Sequence, residues 1–304
     1  MTAIPDGLMR QGSFDSGGLR LSYRRFGKPG KMPVLLLHGL LYFSYDWTAV
    51  AEELARDREV IALDQRGFGD SDWSPSHDYQ VADFARDGAN LIEDRAWRQC
   101  VVAGHSMGGR NAACTALTIP ERIAGLVLVD SPPYNAPHGS RRIGDQVAGV
   151  PDLFKSVDDA LRYFPATPWS DQFDAVRRKR FEEYLKVVPG GYVVKRDPYF
   201  HRLFLNVKMT WPYHSYEYRT WPMGREFDVW DAWARLECPT YVLAGMGTGD
   251  IFSPEMADEV AQFASESNRR IELRRHIAHH NMPGRVPGLV VREIREMLVK
   301  IESD

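Results

Sequence analysis

The sequence predicts an α/β fold in which a doubly wound, mostly parallel sheet is covered by helices. Two observations lead to this prediction. Short apolar runs without alternation recur along the chain, and such runs are typical of strands that are buried on both faces. Between the runs, apolar residues recur at helical spacing, and strands that alternate with helices favour a parallel sheet. In a sheet of this kind the chemistry is expected beyond the carboxyl ends of the strands.

The predicted elements follow one another from the first third of the chain to its end. The strands are expected at 34–37, 59–63, 100–103, 126–130, 241–245 and 270–273. Three helices are expected to bury one apolar face each: Trp47, Val50, Ala51 and Leu54; Val81, Phe84, Ala85, Gly88 and Leu91; and Val290, Ile294, Met297, Leu298 and Ile301.

One short segment carries the strongest chemical signal. Gly104-His105-Ser106-Met107-Gly108 stands between a predicted strand and a helix-compatible stretch that ends before Pro120. Strand, tight turn and helix are the context in which G-x-S-x-G is a nucleophile elbow. The serine would stand at the head of a helix, where free N–H groups favour developing negative charge.

Composition limits the classes of function. The 304 residues carry a net charge of −3, which argues against a nucleic-acid surface. Residues 1–12 contain no apolar signal segment, and no apolar run reaches membrane-spanning length. Three cysteines in or beside core elements fit a reducing cytoplasm. No Cys/His cluster has metal-ligand spacing and no phosphate-binding loop is present, so neither a metal nor a cofactor is expected. The sequence does not indicate the oligomeric state.

Several motifs together resemble one enzyme family. They are His38-Gly39, Asp64-x-Arg66-Gly67-x-Gly69-x-Ser71 and Gly104-x-Ser106-x-Gly108-Gly109, and they run in family order from about residue 20 onward. The chain is thereby similar to enzymes of the α/β-hydrolase fold, a group that contains esterases, lactonases, C–C bond hydrolases and perhydrolases. A serine at the elbow separates it from relatives that use aspartate there, the haloalkane dehalogenases and epoxide hydrolases.

The resemblance also implies a domain organisation. About a hundred residues separate the predicted strand that ends at Asp130 from the next one, which is too many for a structureless loop. Relatives carry a helical cap at this position. Residues 132–235 are therefore expected to form a cap that contains helices at 158–163 and 171–187, inserted between core segments 1–131 and 236–304.

A serine nucleophile needs a histidine base, which in turn needs a carboxylate to orient it. Relatives place the base shortly before the last helix, commonly seven residues before a proline such as Pro287. This spacing selects His280 over His279, which is interpreted as a neighbouring polar residue, and over His276, interpreted as an exposed loop residue.

Two aspartates compete for the role of the acid, because each follows a predicted strand. Asp250 stands where most relatives have the carboxylate, and it is preferred. Asp130 stands where a minority have it, and an aspartate at such a place is often a turn former. The expected catalytic residues are thus Ser106, Asp250 and His280.

The remaining expectations concern the substrate. The backbone N–H groups of Leu40 and Met107 are expected to form the oxyanion hole. Leu41, Tyr42, Phe43 and Trp169 are candidates for an apolar pocket, while the direction of Arg110 is left open. A medium to large, mostly neutral carboxylic ester or lactone is therefore the expected substrate. C–C bond hydrolysis, perhydrolysis and ligand reception without catalysis remain alternatives, although Leu40 to Phe43 replaces the Gly-Pro-Gly-rich loop of the C–C hydrolases.

Overall fold

A computed structural model describes residues 9–134, 136–164, 175–210, 227–247 and 251–303. Ten strands lie in this part of the chain. They are β1 (Met9–Ser16), β2 (Leu19–Phe26), β3 (Lys31–Leu37), β4 (Arg58–Leu63), β5 (Cys100–His105), β6 (Ile123–Val129), β7 (Leu185–Val188), β8 (Gly191–Val194), β9 (Thr240–Gly245) and β10 (Ile271–His276).

Eight of these strands form one sheet in the order β1-β2-β4-β3-β5-β6-β9-β10. Six of them, β4, β3, β5, β6, β9 and β10, run parallel to one another, whereas β1 and β2 add an antiparallel edge. The mostly parallel sheet that the apolar runs predict is therefore confirmed. Continuous apolar runs do not predict the β1–β2 hairpin, because its strands expose part of their residues to solvent.

Eleven α-helices accompany the sheet in the described residues. They are α1 (Thr48–Leu54), α2 (Val81–Asp94), α3 (Met107–Thr118), α4 (Pro137–Ala148), α5 (Val157–Tyr163), α6 (Ala175–Tyr184), α7 (Pro198–Thr210), α8 (Val229–Ala234), α9 (Pro254–Glu266), α10 (Met282–Arg285) and α11 (Pro287–Glu302). None of them is both long enough and apolar enough to cross a bilayer.

Alternate residues of the central strands belong to two separate apolar layers, one on each face of the sheet. In β3, Leu35 and Leu37 pack with α2, α3, α8 and α9, while Val34 and Leu36 pack with α1 and α11 on the opposite face. All four side chains are at most 1% exposed. The sheet is thus buried on both faces by helices, which is the reason its strands show no polar alternation in the sequence.

The long segment between β6 and β9, which we call the insert, contains α4 to α8 and the β7–β8 hairpin. The predicted helix at 158–163 is present as α5. The one expected to reach residue 187 ends at Tyr184, because the next four residues pair with β8 instead. Pro189 and Gly190 make the turn, in which Gly190 has a φ of 90° that favours glycine.

Two apolar clusters join the insert to the core. Leu40 and Phe84 pack with residues of α4 and α7, and Phe43 packs with residues of α5 and α6. A bidentate ion pair reinforces the second cluster, since the Arg180 guanidinium lies 2.5 and 3.1 Å from the carboxylate oxygens of Asp46. Helices α4 to α7 of the insert are therefore packed against the loop that follows β3 and against α2.

Candidate active site

Ser106 occupies a sharp turn between β5 and α3. Its backbone angles, φ 53° and ψ −117°, lie in a region that non-glycine residues rarely adopt. The turn is possible because the flanking glycines lack side chains. A Cβ on Gly104 would lie 2.1 Å from the carbonyl oxygen of Gly108, and one on Gly108 would lie 2.3 Å from that of Leu37. The strand, strained turn and helix have the geometry of a nucleophile elbow.

Asp130 stands beside this elbow because β5 and β6 are neighbours in register. His105 pairs with Val129, and the N–H of Ser106 donates to the carbonyl of Val129 at 2.9 Å. Asp130 follows directly and has a φ of 46°, which is also unusual for a residue with a side chain. The ends of the two strands therefore bring Ser106 and Asp130 to the same edge of the sheet.

The structure pairs His280 with Asp130. Nδ1 of His280 lies 2.6 Å from Oδ2 of Asp130, and the other carboxylate oxygen accepts the N–H of Gly245 at 2.7 Å. Because the carboxylate accepts the Nδ1 proton, Nε2 of a neutral ring is left as the basic atom. Asp250, the acid preferred from sequence, lies outside the described residues. Asp130, the alternative acid, makes the contact with His280.

His105, the neighbour of Ser106, contacts the same histidine. Its Nε2 lies 2.8 Å from the backbone oxygen of His280, and the two rings are 4.7 Å apart. Since a carbonyl only accepts, Nε2 of His105 carries the proton and donates. Burial, together with the nearby His280, holds the pKa of His105 well below its usual value. A neutral, buried ring thus connects the elbow to the loop that carries His280.

The other two histidines of this region precede His280 in the chain. His276 is the last residue of β10 and faces Glu293, at 3.4 Å between Nε2 and the carboxylate. It is therefore part of a strand and not the exposed loop residue expected from sequence. His279 is partly buried next to His280.

A cleft of about 470 Å³, including its opening to solvent, lies over the elbow. Six of its lining residues are largely apolar: Leu40, Tyr79, Val81, Phe84, Met107 and Pro132. Four are polar: Ser106, Arg110, Asn111 and Ser131. A mainly apolar concavity with a few polar groups is typical of small-molecule sites. Burial lowers the pKa of Arg110 to about 10, so this side chain remains charged at neutral pH.

Both residues proposed for the oxyanion hole line the cleft together with Ser106. Met107 is the first residue of α3, and its N–H has no carbonyl one helical turn earlier within that helix. Leu40 follows Gly39 on the loop after β3, and its side chain is buried. Leu40 and Met107 therefore border the same cleft as Ser106.

The predicted pocket residues that the structure describes do not line this cleft. Phe43 is 1% exposed and packs on Tyr184 of the insert, while Leu41 packs beside Leu40. The Tyr42 ring lies 5.1 Å from that of His105, and burial raises its pKa to about 12. None of these three is among the residues that line the described cleft, and Trp169 lies outside the described residues.

The loop after β3 is supported by His38, as its sequence position suggests, and also by Gln65 and Asn111, which the motifs do not indicate. The amide of Gln65 donates to the carbonyl of His38 at 2.7 Å, and Asn111 donates to Oε1 of Gln65 at 2.7 Å. Nε2 of His38 accepts the N–H of Gln65, and burial lowers the His38 pKa. Asn111 stands four residues after Met107 on α3, and residues four apart share a helix face, so this spacing could have indicated a residue beside the cleft. The described residues contain no group of three or more side chains able to hold a metal ion.

Comparisons with known proteins agree with this architecture. A 2-(acetamidomethylene)succinate hydrolase of Mesorhizobium japonicum is 30% identical over 177 residues, 58% of this chain and 62% of that protein. Epoxide hydrolase 4 of Homo sapiens is 32% identical over 158 residues, 51% of this chain and 41% of that protein. The matched segments thus span less than two thirds of these relatives.

The crystal structure of E-2-(acetamidomethylene)succinate hydrolase superposes with a TM-score of 0.77 and covers 95% of this chain and 99% of that one, at 20% sequence identity. At that identity the likeness concerns the fold alone. The sequence model of the alpha/beta hydrolase fold matches residues 32–281. The chain therefore belongs to the alpha/beta hydrolase fold family, and its described architecture is that of a hydrolase.

Proposed function

We propose that the protein is a serine hydrolase that cleaves a carboxylic ester or lactone through an acyl-enzyme intermediate. Ser106 is the nucleophile, His280 the base and Asp130 the acid that orients the base. The observation that supports this proposal most strongly is the hydrogen bond between His280 and Asp130 at the edge of the sheet that carries the strained serine. Asp130 thereby takes the role that the sequence argument gave to Asp250.

In the first half-reaction, Oγ of Ser106 attacks the substrate carbonyl carbon while Nε2 of His280 takes the hydroxyl proton. The carbonyl π electrons move to oxygen, and the N–H groups of Leu40 and Met107 stabilise this oxyanion. Collapse of the intermediate breaks the bond to the alcohol, which leaves with the proton from His280. In a lactone the alcohol stays attached to the acyl chain.

In the second half-reaction, His280 takes a proton from water as the water oxygen attacks the acyl-enzyme. The second oxyanion collapses, the bond to Ser106 breaks, and the serine regains the proton. The acid product leaves, and the enzyme returns to its starting state. No cofactor takes part in these steps.

The cleft supports a medium to large, mostly neutral substrate, because its lining is mainly apolar. Arg110 is the charged exception within that lining, so the substrate series must include an ester that carries an additional carboxylate.

We also propose that the insert acts as a cap, which is supported by the packing of α4 and α7 on Leu40 and Phe84 beside the cleft. A cytoplasmic location remains part of the proposal.

The test is a series of kcat/KM values for neutral aryl and alkyl esters, lactones, one carboxylate-bearing ester and one vinylogous diketo acid. We expect a neutral ester or lactone to be turned over fastest. Faster turnover of the diketo acid than of all the esters and lactones would assign C–C bond hydrolysis instead. Binding of the series without turnover would favour a receptor.

A further inference from the structure

Asn111 combines complete burial with an unused hydrogen-bonding atom. Its side chain is 0% exposed, yet Oδ1 has no hydrogen-bond donor among the described residues. A buried polar atom without a partner is costly, and native structures contain few of them. The residue lines the same cleft as Ser106. The unused atom therefore belongs to a buried residue that borders the cleft.

The orientation of this amide is fixed by a chain of contacts. The carbonyl of His38 only accepts, so the Gln65 side chain must turn its nitrogen toward it and its oxygen toward Asn111. That oxygen in turn requires the nitrogen of Asn111, at 2.7 Å. An exchange of N and O in either amide would break these bonds, so Oδ1 of Asn111 is held as an acceptor.

The other polar residues of the cleft cannot replace this function. Arg110 carries donors only, and Ser106 is occupied by its role as nucleophile. The Ser131 hydroxyl can donate as well as accept, so it does not select between the two kinds of ligand group. Among these four polar side chains of the described lining, Asn111 is the one whose unpaired atom is held as an acceptor.

We propose that Asn111 Oδ1 is a specificity subsite, and that the preferred substrate carries a hydroxyl or N–H group that donates to it. This inference rests on the proposed function, since it concerns the substrate of Ser106. A site built to bind a donor rejects an analogue that lacks it, because the buried acceptor is then left unpaired. For one uncharged hydrogen bond we expect roughly a ten- to hundredfold preference.

The experiment compares matched substrates that differ in one hydroxyl. The first pair is p-nitrophenyl 3-hydroxyoctanoate and p-nitrophenyl octanoate, and the second is 3-hydroxypropyl octanoate and propyl octanoate. In wild type at least one hydroxylated member should have a kcat/KM roughly tenfold or more above its partner. Asn111→Leu should abolish that preference. The readout is the ratio of the two kcat/KM values within each pair, because the substitution also removes the donor to Gln65 and thereby changes the rate with both esters. Equal rates within each pair in wild type would overturn the proposal.

Thr115→Val is the control, since Thr115 is a buried polar residue of the same helix that does not line the cleft. Its hydroxyl donates to the backbone carbonyl of Asn111 at 2.8 Å, so this variant disturbs the same part of α3 and leaves the side-chain amide of Asn111 in place. It should keep the wild-type preference. If the leucine variant does not fold, Asn111→Ala repeats the comparison. A folded Asn111 variant that retains the preference would overturn the subsite.

Binding of 3-hydroxyoctanamide and octanamide to the wild-type protein, measured by calorimetry, separates the two proposals. If no ester is cleaved but the hydroxylated amide binds roughly tenfold more tightly, the serine hydrolase proposal fails and the subsite stands. If esters are cleaved without preference and the amides bind equally, the subsite fails and the hydrolase stands. Failure of both readouts overturns both.

Discussion

His280 and Asp130 are 150 residues apart in sequence, and their side chains meet at 2.6 Å between Nδ1 and Oδ2. The carboxylate is 1% exposed, and its second oxygen is occupied by the N–H of Gly245. Because both oxygens are bound, the carboxylate has a fixed direction. It can therefore orient the imidazole ring as the acid of a catalytic triad does.

Asp130→Asn should lower kcat by about 10³- to 10⁴-fold, because an amide in this place favours the wrong imidazole tautomer. The fold should survive, since the asparagine oxygen can still accept the N–H of Gly245. Asp250→Asn is the comparison variant and should retain most of the activity. Steady-state kinetics on the best ester measures both. An inactive Asp250 variant beside an active Asp130 variant would return the acid to the position preferred from sequence.

Sequence patterns do not distinguish Asp130 from Asp250 as the acid. Each follows an apolar strand, so the pattern places both at the correct edge of the sheet. The direction of the Asp130 side chain depends on its positive φ and on the register between β6 and β9, neither of which is encoded in local apolar periodicity. The elbow was predictable because its glycines, serine and flanking elements are all local in sequence.

The difference between local sequence patterns and contacts that are distant in sequence also explains the other outcomes. Strands buried on both faces can be predicted from their apolar runs. The predicted helix at 171–187, in contrast, includes the first three residues of β7, because residues 185–187 continue a helical stretch. Asn111 was missed because its significance comes from a contact with Gln65, 46 residues away in sequence.

His105 should act as a positioning residue for the loop of His280. His105→Phe removes the donor to the His280 carbonyl, and we expect kcat to fall by roughly ten- to a hundredfold with little change in KM. His105→Gln places an amide donor near the same point and should recover most of the rate. Both variants should be checked for folding by circular dichroism. Equal loss of activity in the two would show that the ring itself, and not the hydrogen bond, is needed.

The burial of His105 also predicts a pH dependence of stability. Its pKa is held well below the usual value in the folded state, whereas the unfolded chain takes up a proton near pH 6.5. The unfolded state therefore binds more protons, so this stabilisation is present above about pH 6.5 and is lost as the pH falls. The slope is at most about 1.4 kcal/mol per pH unit for one group.

Urea unfolding at pH 7.5 and pH 5.5 measures this contribution. His105→Gln cannot titrate, so its free energy of unfolding should fall less on acidification than that of wild type. His38 and the carboxylates are common to both proteins and largely cancel in the difference. Identical losses in wild type and variant would show that His105 is not buried in its neutral form.

The identity of the nucleophile is tested most directly by covalent labelling with a fluorophosphonate, followed by peptide mass spectrometry. Ser106 and Ser131 both line the cleft, which makes Ser131→Ala a matched control. We predict one adduct, on the peptide that contains Ser106, with labelling and ester turnover both lost in Ser106→Ala and both retained in Ser131→Ala. An adduct on Ser131, or turnover by Ser106→Ala above about a thousandth of the wild-type rate, would contradict the assignment of Ser106 as the nucleophile.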